Sequence, residues 1–335
     1  MTRLVRLFLT SLLLLSASAA MAQRERPSVP PEESQERPEG PRRGSRIIND
    51  TLREVYGPKT SRYFYESDVF FNRDKIYTID TVKTNRHRFT DVQKQQYRYQ
   101  DLGNIGTAAN PIFYQMPATI GMRSGFESFD LYWKGDDSIR YYDTKSPFTD
   151  LAITLGGRGR SVTDASFSRN INPRWNFGFD FHFLAIDKQV QRTGKGDRNA
   201  RRTAYDFYTT YQSKDSTYRL FVNYARARHF VNENGGVQVE DEADRSGYFD
   251  TNRRPYLTAA LSSEYRKQWH LFHQYEIRRP LQVYHKLDIA SITNEFTDDP
   301  DAEPDDYYDF VEIDSAETHD LSTFNTVRNE FGIKG

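Results

Sequence analysis

The sequence predicts an all-β protein: an antiparallel transmembrane β-barrel of the outer-membrane type, incomplete in this chain and so a fragment. Three observations predict it. Its strands have two unlike faces, its connections alternate between short and long, and an export signal precedes them.

The face signal is plainest in RWNFGFDFHF, Arg174 to Phe183. Trp175, Phe177, Phe179, Phe181 and Phe183 recur at every second residue, with Asn176, Gly178, Asp180 and His182 between them. A period of two is that of a strand; a helix would scatter the rings around its circumference. A half-buried strand of a soluble sandwich would also alternate. Similar runs fall at Thr149–Leu155, Ser161–Ile171, Ala204–Gln212, Thr217–His229, Tyr256–Tyr265, Gln268–Ile277 and Ser322–Ile333. Within them Leu220 and Val222 oppose Arg219 and Asn223, with Phe221 a misfit on the polar side. Trp269 and Leu271 likewise oppose His270, Gln274 and Glu276.

The connections separate the barrel from the sandwich. Apart from the first, GGRGR after Leu155, which is also short, they alternate: those after Ile171 (NP), Gln212 (SKDS) and Tyr265 (RK) are short. Those after Ile186, His229 and Ile277 are long. Outer-membrane barrels have short periplasmic turns and long extracellular loops. The aromatic faces are therefore expected to meet lipid: Trp175, Phe177, Phe179, Phe181 and Phe183, then Leu220, Val222, Trp269 and Leu271. The expected lumen-facing residues are Asn176, Asp180, His182, Arg219, Asn223, Glu264 and Glu276.

The N-terminus, MTRLVRLFLTSLLLLSASAAMAQ, has Arg3 and Arg6 before an apolar run and an A-x-A site at Ala20 and Ala22, ahead of Gln23. This is the pattern of a Sec signal peptide. With no cysteine in 335 residues, a lipobox, disulfides and thiolate chemistry are all excluded. A net charge of -1 gives no basic field for nucleic acid. A mean hydropathy of -0.81 excludes a helical membrane architecture. Aromatics at 14% suit lipid-facing girdles around a wet lumen. The expected organisation is a signal peptide at 1–22 and a disordered linker at 23–46, rich in Pro, Glu and Arg. A periplasmic or plug-like segment of open structure follows at 47–118, then barrel strands at 119–335, truncated at the C-terminus.

Asp101 to about Gly236 resembles the "Putative porin" family of Bacteroidetes outer membranes. The likeness is carried by DLGN.G with P.F.Q, F..FDLYW, YYDTKSP.T and N.NP.WN.GF. It implies an integral outer-membrane barrel, used as a channel for passive diffusion of small hydrophilic solutes, and carries no catalytic or ligand residues with it. Family members are longer, and this chain stops at Gly335 without a terminal aromatic. That is the basis for expecting a fragment.

No pattern points to an enzyme or a cofactor. His270 and His273 project to opposite faces of a strand and cannot share a metal. His182, beside Asp180, reads as a solvated lumen histidine. GGRGR at Gly156–Arg160 reads as a hairpin turn, since no helix follows it. DDPDAEPDD at Asp298–Asp306 reads as a surface loop, and the serine of DTKSP has no histidine and acid to form a triad. The expected partners are outer-membrane lipid and small solutes, with homo-oligomerisation open and no nucleic acid. Two other functions stay open. One is a non-channel barrel serving as scaffold or receptor for an envelope partner; the other is a soluble periplasmic β-protein that binds glycans.

Overall fold

The alternating runs become eight long antiparallel strands, each paired with the next along the chain. In a computed structural model, residues 60–73, 75–81, 87–116, 120–135, 138–238, 250–278, 280–299, 307–308 and 318–335 are described. The signal peptide, with Ala20, Ala22 and Gln23, and the linker lie outside them, as does most of the Asp298–Asp306 loop.

Five short strands come first: β1 (Ser61–Phe64), β2 (Tyr77–Thr78), β3 (Tyr99–Asp101), β4 (Ala109–Pro111) and β5 (Tyr141–Thr144). Two helices accompany them, α1 (Glu66–Phe70) and α2 (Asp91–Lys94). The wall follows: β6 (Phe148–Gly156), β7 (Arg160–Asn172), β8 (Trp175–Asp187), β9 (Arg198–Gln212), β10 (Tyr218–Asn232), β11 (Leu261–Arg278), β12 (Leu281–Asp298) and β13 (Thr318–Lys334). The 18 residues of β11 extend about 60 Å at ~3.3 Å per residue, twice a hydrocarbon core of about 30 Å.

The strand count agrees with the sequence reading only because two differences cancel. Tyr256–Tyr265 and Gln268–Ile277 are not two strands joined at Arg266-Lys267; β11 runs straight through both residues. The adjacent charges imitate a turn, but Arg266 is buried on one face and Lys267 is exposed on the other. The missing strand is β12, inside what reads as the longest loop. Leu281, Val283, Leu287 and Ile289 share one face of it, yet further along Ile292 and Phe296 stand on the opposite face. The apolar side inverts midway, so the periodic signal cancels. From β7 onward the chain still alternates: the connections at 173–174, 213–217 and 279–280 are short, and those at 188–197, 233–260 and 299–317 are long; the β6–β7 turn at 157–159 is short as well and stands outside the pattern. In the 213–217 turn, the Ser213 and Thr217 hydroxyls hold the Asp215 carboxyl below its usual value. GGRGR forms the tight β6–β7 turn, with Arg158 and Gly159 both left-handed.

The wall begins at Phe148, not at residue 119. The Ile120–Trp133 run contains Gly121 (φ 134°) and Gly125 (φ 79°) and ends in a 3-10 turn at Asp130–Tyr132, so it cannot extend as a strand. β2, β1 and β5 make a small antiparallel sheet and β3 pairs with β4. A capping box closes the start of α2, with Thr90 Oγ1 accepting from Gln93 N–H at 3.2 Å.

The described residues of this inner segment, within 60–147, cover one face of the wall. Val69, Ile139, Tyr141 and Tyr142 pack on Tyr208, Phe221 and Phe272. Phe129 and Tyr132 pack on Val162, Leu184, Ile186, Ala200 and Val231. Phe221 is therefore no misfit: its ring meets Phe64 and Tyr141, 5.9 and 4.9 Å between centroids. Gly178 is on the same face, and a Cβ there would come within 2.0 Å of the Tyr208 ring. Tyr208 is fixed against Tyr141. Gly178→Ala is expected to cost about 1–3 kcal/mol by overpacking, read as a lower unfolding midpoint on heat-modifiable gels. An unchanged midpoint would mean that Tyr208 moves freely.

The opposite face carries an unbroken lateral row at one level. Register aligns Phe167, Phe179, Phe207, Tyr224, Trp269, Ile289 and Val327 across β7 to β13. Phe179 and Phe207 lie 4.8 Å apart, and Tyr224 and Trp269 4.5 Å. Phe207, Trp269, Ile289 and Val327 are all exposed.

Candidate functional site: the face between wall and inner segment

Strand alternation places Asn176, Asp180, His182, Arg219, Asn223, Glu264 and Glu276 on the covered face of the wall. It places Trp175, Phe177, Phe179, Phe181, Phe183, Leu220, Val222, Trp269 and Leu271 on the other. The covered face is drier than the sequence suggests. His182, read as a solvated lumen residue, is only 5% exposed, because the inner segment lies over it and Asp164 of β7 takes its Nδ1. Asn176 is held by Ser168 and Asn170. Asn223 donates to the Tyr141 hydroxyl at 3.0 Å. Glu264 accepts from Arg266 at 2.7 Å.

Polar contacts tie the inner segment to the wall along its length. Arg202 of β9 donates to the Tyr132 carbonyl. His229 Nε2 of β10 meets the Gly106 carbonyl at 2.7 Å. Arg266 of β11 reaches Asp130 at 2.5 Å. Lys334 of β13 donates to the Val69 and Phe70 carbonyls at the end of α1.

The densest contact is around His270. Its Nε2 lies 2.6 Å from a Glu66 oxygen of α1, and its Nδ1 lies 2.5 Å from Asp288, its register partner on β12. Lys286 closes the group 3.0 Å from the other Glu66 oxygen, and its ammonium lies 4.2 Å from the Phe70 ring centre. His273 is on the far face, 3.0 Å from His285, so H-x-x-H is not a pair in space. Among the described residues no group of acids and histidines is arranged to hold a metal ion.

Glu66, Lys286 and Asp288 had no sequence signal: the first lies in a segment without clear periodicity, the others in the stretch read as loop. A cavity of about 630 Å³ remains between the inner segment and β6 to β9, reached by Asp180, His182 and Asp206 of the wall. The phenol of Tyr142, on β5 beside it, is pushed up to about 12 by burial and stays neutral.

A meandering antiparallel wall with one aromatic face and one face packed on an N-terminal segment is a largely antiparallel β-sheet fold that resembles porin and outer-membrane receptor architecture. The chain belongs to the family described as "Putative porin", whose profile matches residues 61–335. That family is one of non-catalytic outer-membrane transport and structural proteins, so the chain is not an enzyme. No curated protein matches it. Among solved structures it is similar to the ferric-catecholate import receptor Fiu of E. coli K12 in its closed form, at 10% identity and a TM-score of 0.37. The match covers 54% of this chain and 26% of the receptor, so the chain spans about a quarter of that protein's length.

Proposed function

We propose that the wall belongs to an outer-membrane barrel whose lumen holds residues 60–147, and that it acts as a plugged receptor or gate for solutes. An always-open diffusion pore is the poorer reading. One observation carries this: the face that would line a pore is packed against the inner segment through two apolar clusters and the His270 group. An open channel needs a solvated inner face, whereas His182, Asn223 and Glu264 are buried. The aromatic row supports lipid on the other side. The short turns at 173–174, 213–217 and 279–280 belong to the periplasm, and the long connections to the exterior. β6 and β13 are the sheet edges, and an edge in hydrocarbon must be paired. Closure therefore joins them, directly or through further strands.

The test is conductance of the purified protein in planar bilayers. The expected result is insertion with negligible steady current. A stable, voltage-independent open current in the wild type would return the function to passive diffusion.

A further inference from the structure

We propose that the cavity between the inner segment and β6 to β9 is a binding site for a small zwitterion, of the class of an amino acid or short peptide. This deepens the receptor reading and rests on it for the route by which the solute arrives.

The wall side of the cavity carries a row of acids. Register aligns Asp150 of β6, Ser166 of β7, Asp180 of β8 and Asp206 of β9 at one level. Asp180 and Asp206 are direct cross-strand partners. Like charges in that position repel and destabilise a sheet, so packing alone gives no reason for them. Asp206 is only 9% exposed and, among the described residues, has neither a hydrogen bond nor an ion pair. His182, one step along β8, has an Nε2 buried without a partner. The acid beside it is already satisfied, since Asp164 takes His182 Nδ1 and Lys94 at 3.5 Å. The row is not.

The opposite side of the cavity belongs to the inner segment and carries Lys134 and Arg140, both exposed to it. Neither lies within 4.0 Å of a carboxylate among the described residues, and Arg140 rests over the Tyr63 ring at 5.6 Å. Arg202, the other cation on the wall, is spent on the Tyr132 carbonyl. The cavity thus has an acidic wall and a basic wall that attract each other across the gap but, among the described residues, form no ion pair across it. A metal ion does not answer this, since among the described residues no three acids or histidines are grouped to hold one. A molecule with an ammonium at one end and a carboxylate at the other does: the ammonium reaches Asp180 and Asp206, the carboxylate Lys134 and Arg140. The volume of about 630 Å³ is within the usual range for small-molecule sites, about 300–1,000 Å³.

The experiment is isothermal titration of the full chain in detergent micelles with glycylglycine, and with N-acetyl-glycylglycinamide, the same backbone without charges. The proposal expects saturable binding of the first and none of the second. Asp206→Asn and Asp180→Asn should each weaken glycylglycine about tenfold, the scale of one charge-assisted hydrogen bond. Lys134→Ala should do likewise from the other wall. Asp150→Asn, at an exposed position, is the variant least able to disturb folding, and heat-modifiable migration verifies each protein. Equal binding of the uncharged analogue, no binding of glycylglycine to the wild type, or affinity indifferent to every substitution would overturn the site. Uptake of glycylglycine into liposomes reads the gate separately. Charge-dependent binding without uptake keeps the site and removes the gate; uptake with charge-independent affinity keeps the gate and removes the site.

Discussion

His270→Ala is expected to loosen the inner segment from the wall while leaving the wall able to insert. The imidazole stands between two carboxylates, Glu66 at 2.6 Å on one nitrogen and Asp288 at 2.5 Å on the other. It is 1% exposed, and the Glu66 side chain is 8% exposed. Truncation leaves two acids facing a buried hole, with Lys286 as the remaining cation. Removing one partner of a buried ionic group costs about 3–5 kcal/mol, because the charges left behind lose their solvation and their partner together. That cost falls on docking, since Glu66 belongs to α1 and not to the sheet. Two measurements read it. Protease should reach residues 60–147 faster than in the wild type, and bilayer recordings should show current where the wild type shows none. His270→Gln retains most of the volume and should fall between the two. Equal protease resistance in His270→Ala and wild type would show that the apolar clusters hold the segment unaided.

The same group shows where a sequence stops being legible. Two-faced strands were readable because each outer position repeats a simple demand for apolar surface. Trp175 to Phe183 states that demand five times in succession. The inner face answers to a partner of irregular shape, so its residues follow no period. Phe221 is apolar because Phe64 and Tyr141 lie over it, and Arg266 is charged because Asp130 reaches it. Read along the strand, one looks like a misfit and the other like part of a turn. β12 is hidden for the same reason, its apolar side changing near Ile292. Glu66 and His270 are 204 residues apart, and nothing local to either announces the other. The inner positions Asn176, Asp180 and His182 are legible because they alternate with an unmistakable aromatic face. Their surroundings are not, since burial by the inner segment is a tertiary fact.

Phe179→Arg and Asp180→Asn are neighbours with opposite expected outcomes. Phe179 lies mid-strand in the lateral aromatic row, against Phe207 and between Phe167 and Trp269 in the wider band. If that band meets lipid, an arginine there puts a cation near the bilayer midplane, at a cost of about 2–4 kcal/mol in barrels of this kind. Folding into liposomes should fail or slow sharply, and a thinner bilayer should restore it in part, because the charge then lies nearer an interface. Asp180 faces the cavity one residue away, where Asn retains the shape and removes like-charge repulsion with Asp206. It should fold as well as the wild type or slightly better, and lose affinity for a zwitterion. A soluble sandwich gives another pattern: Phe179→Arg would collapse a fold that never needed lipid, equally in detergent and in plain buffer. The lipid dependence of the first variant therefore decides what the aromatic face touches. The second decides whether Asp180 is kept for structure or for a ligand, since a structural acid would lower stability when neutralised and a binding acid would raise it.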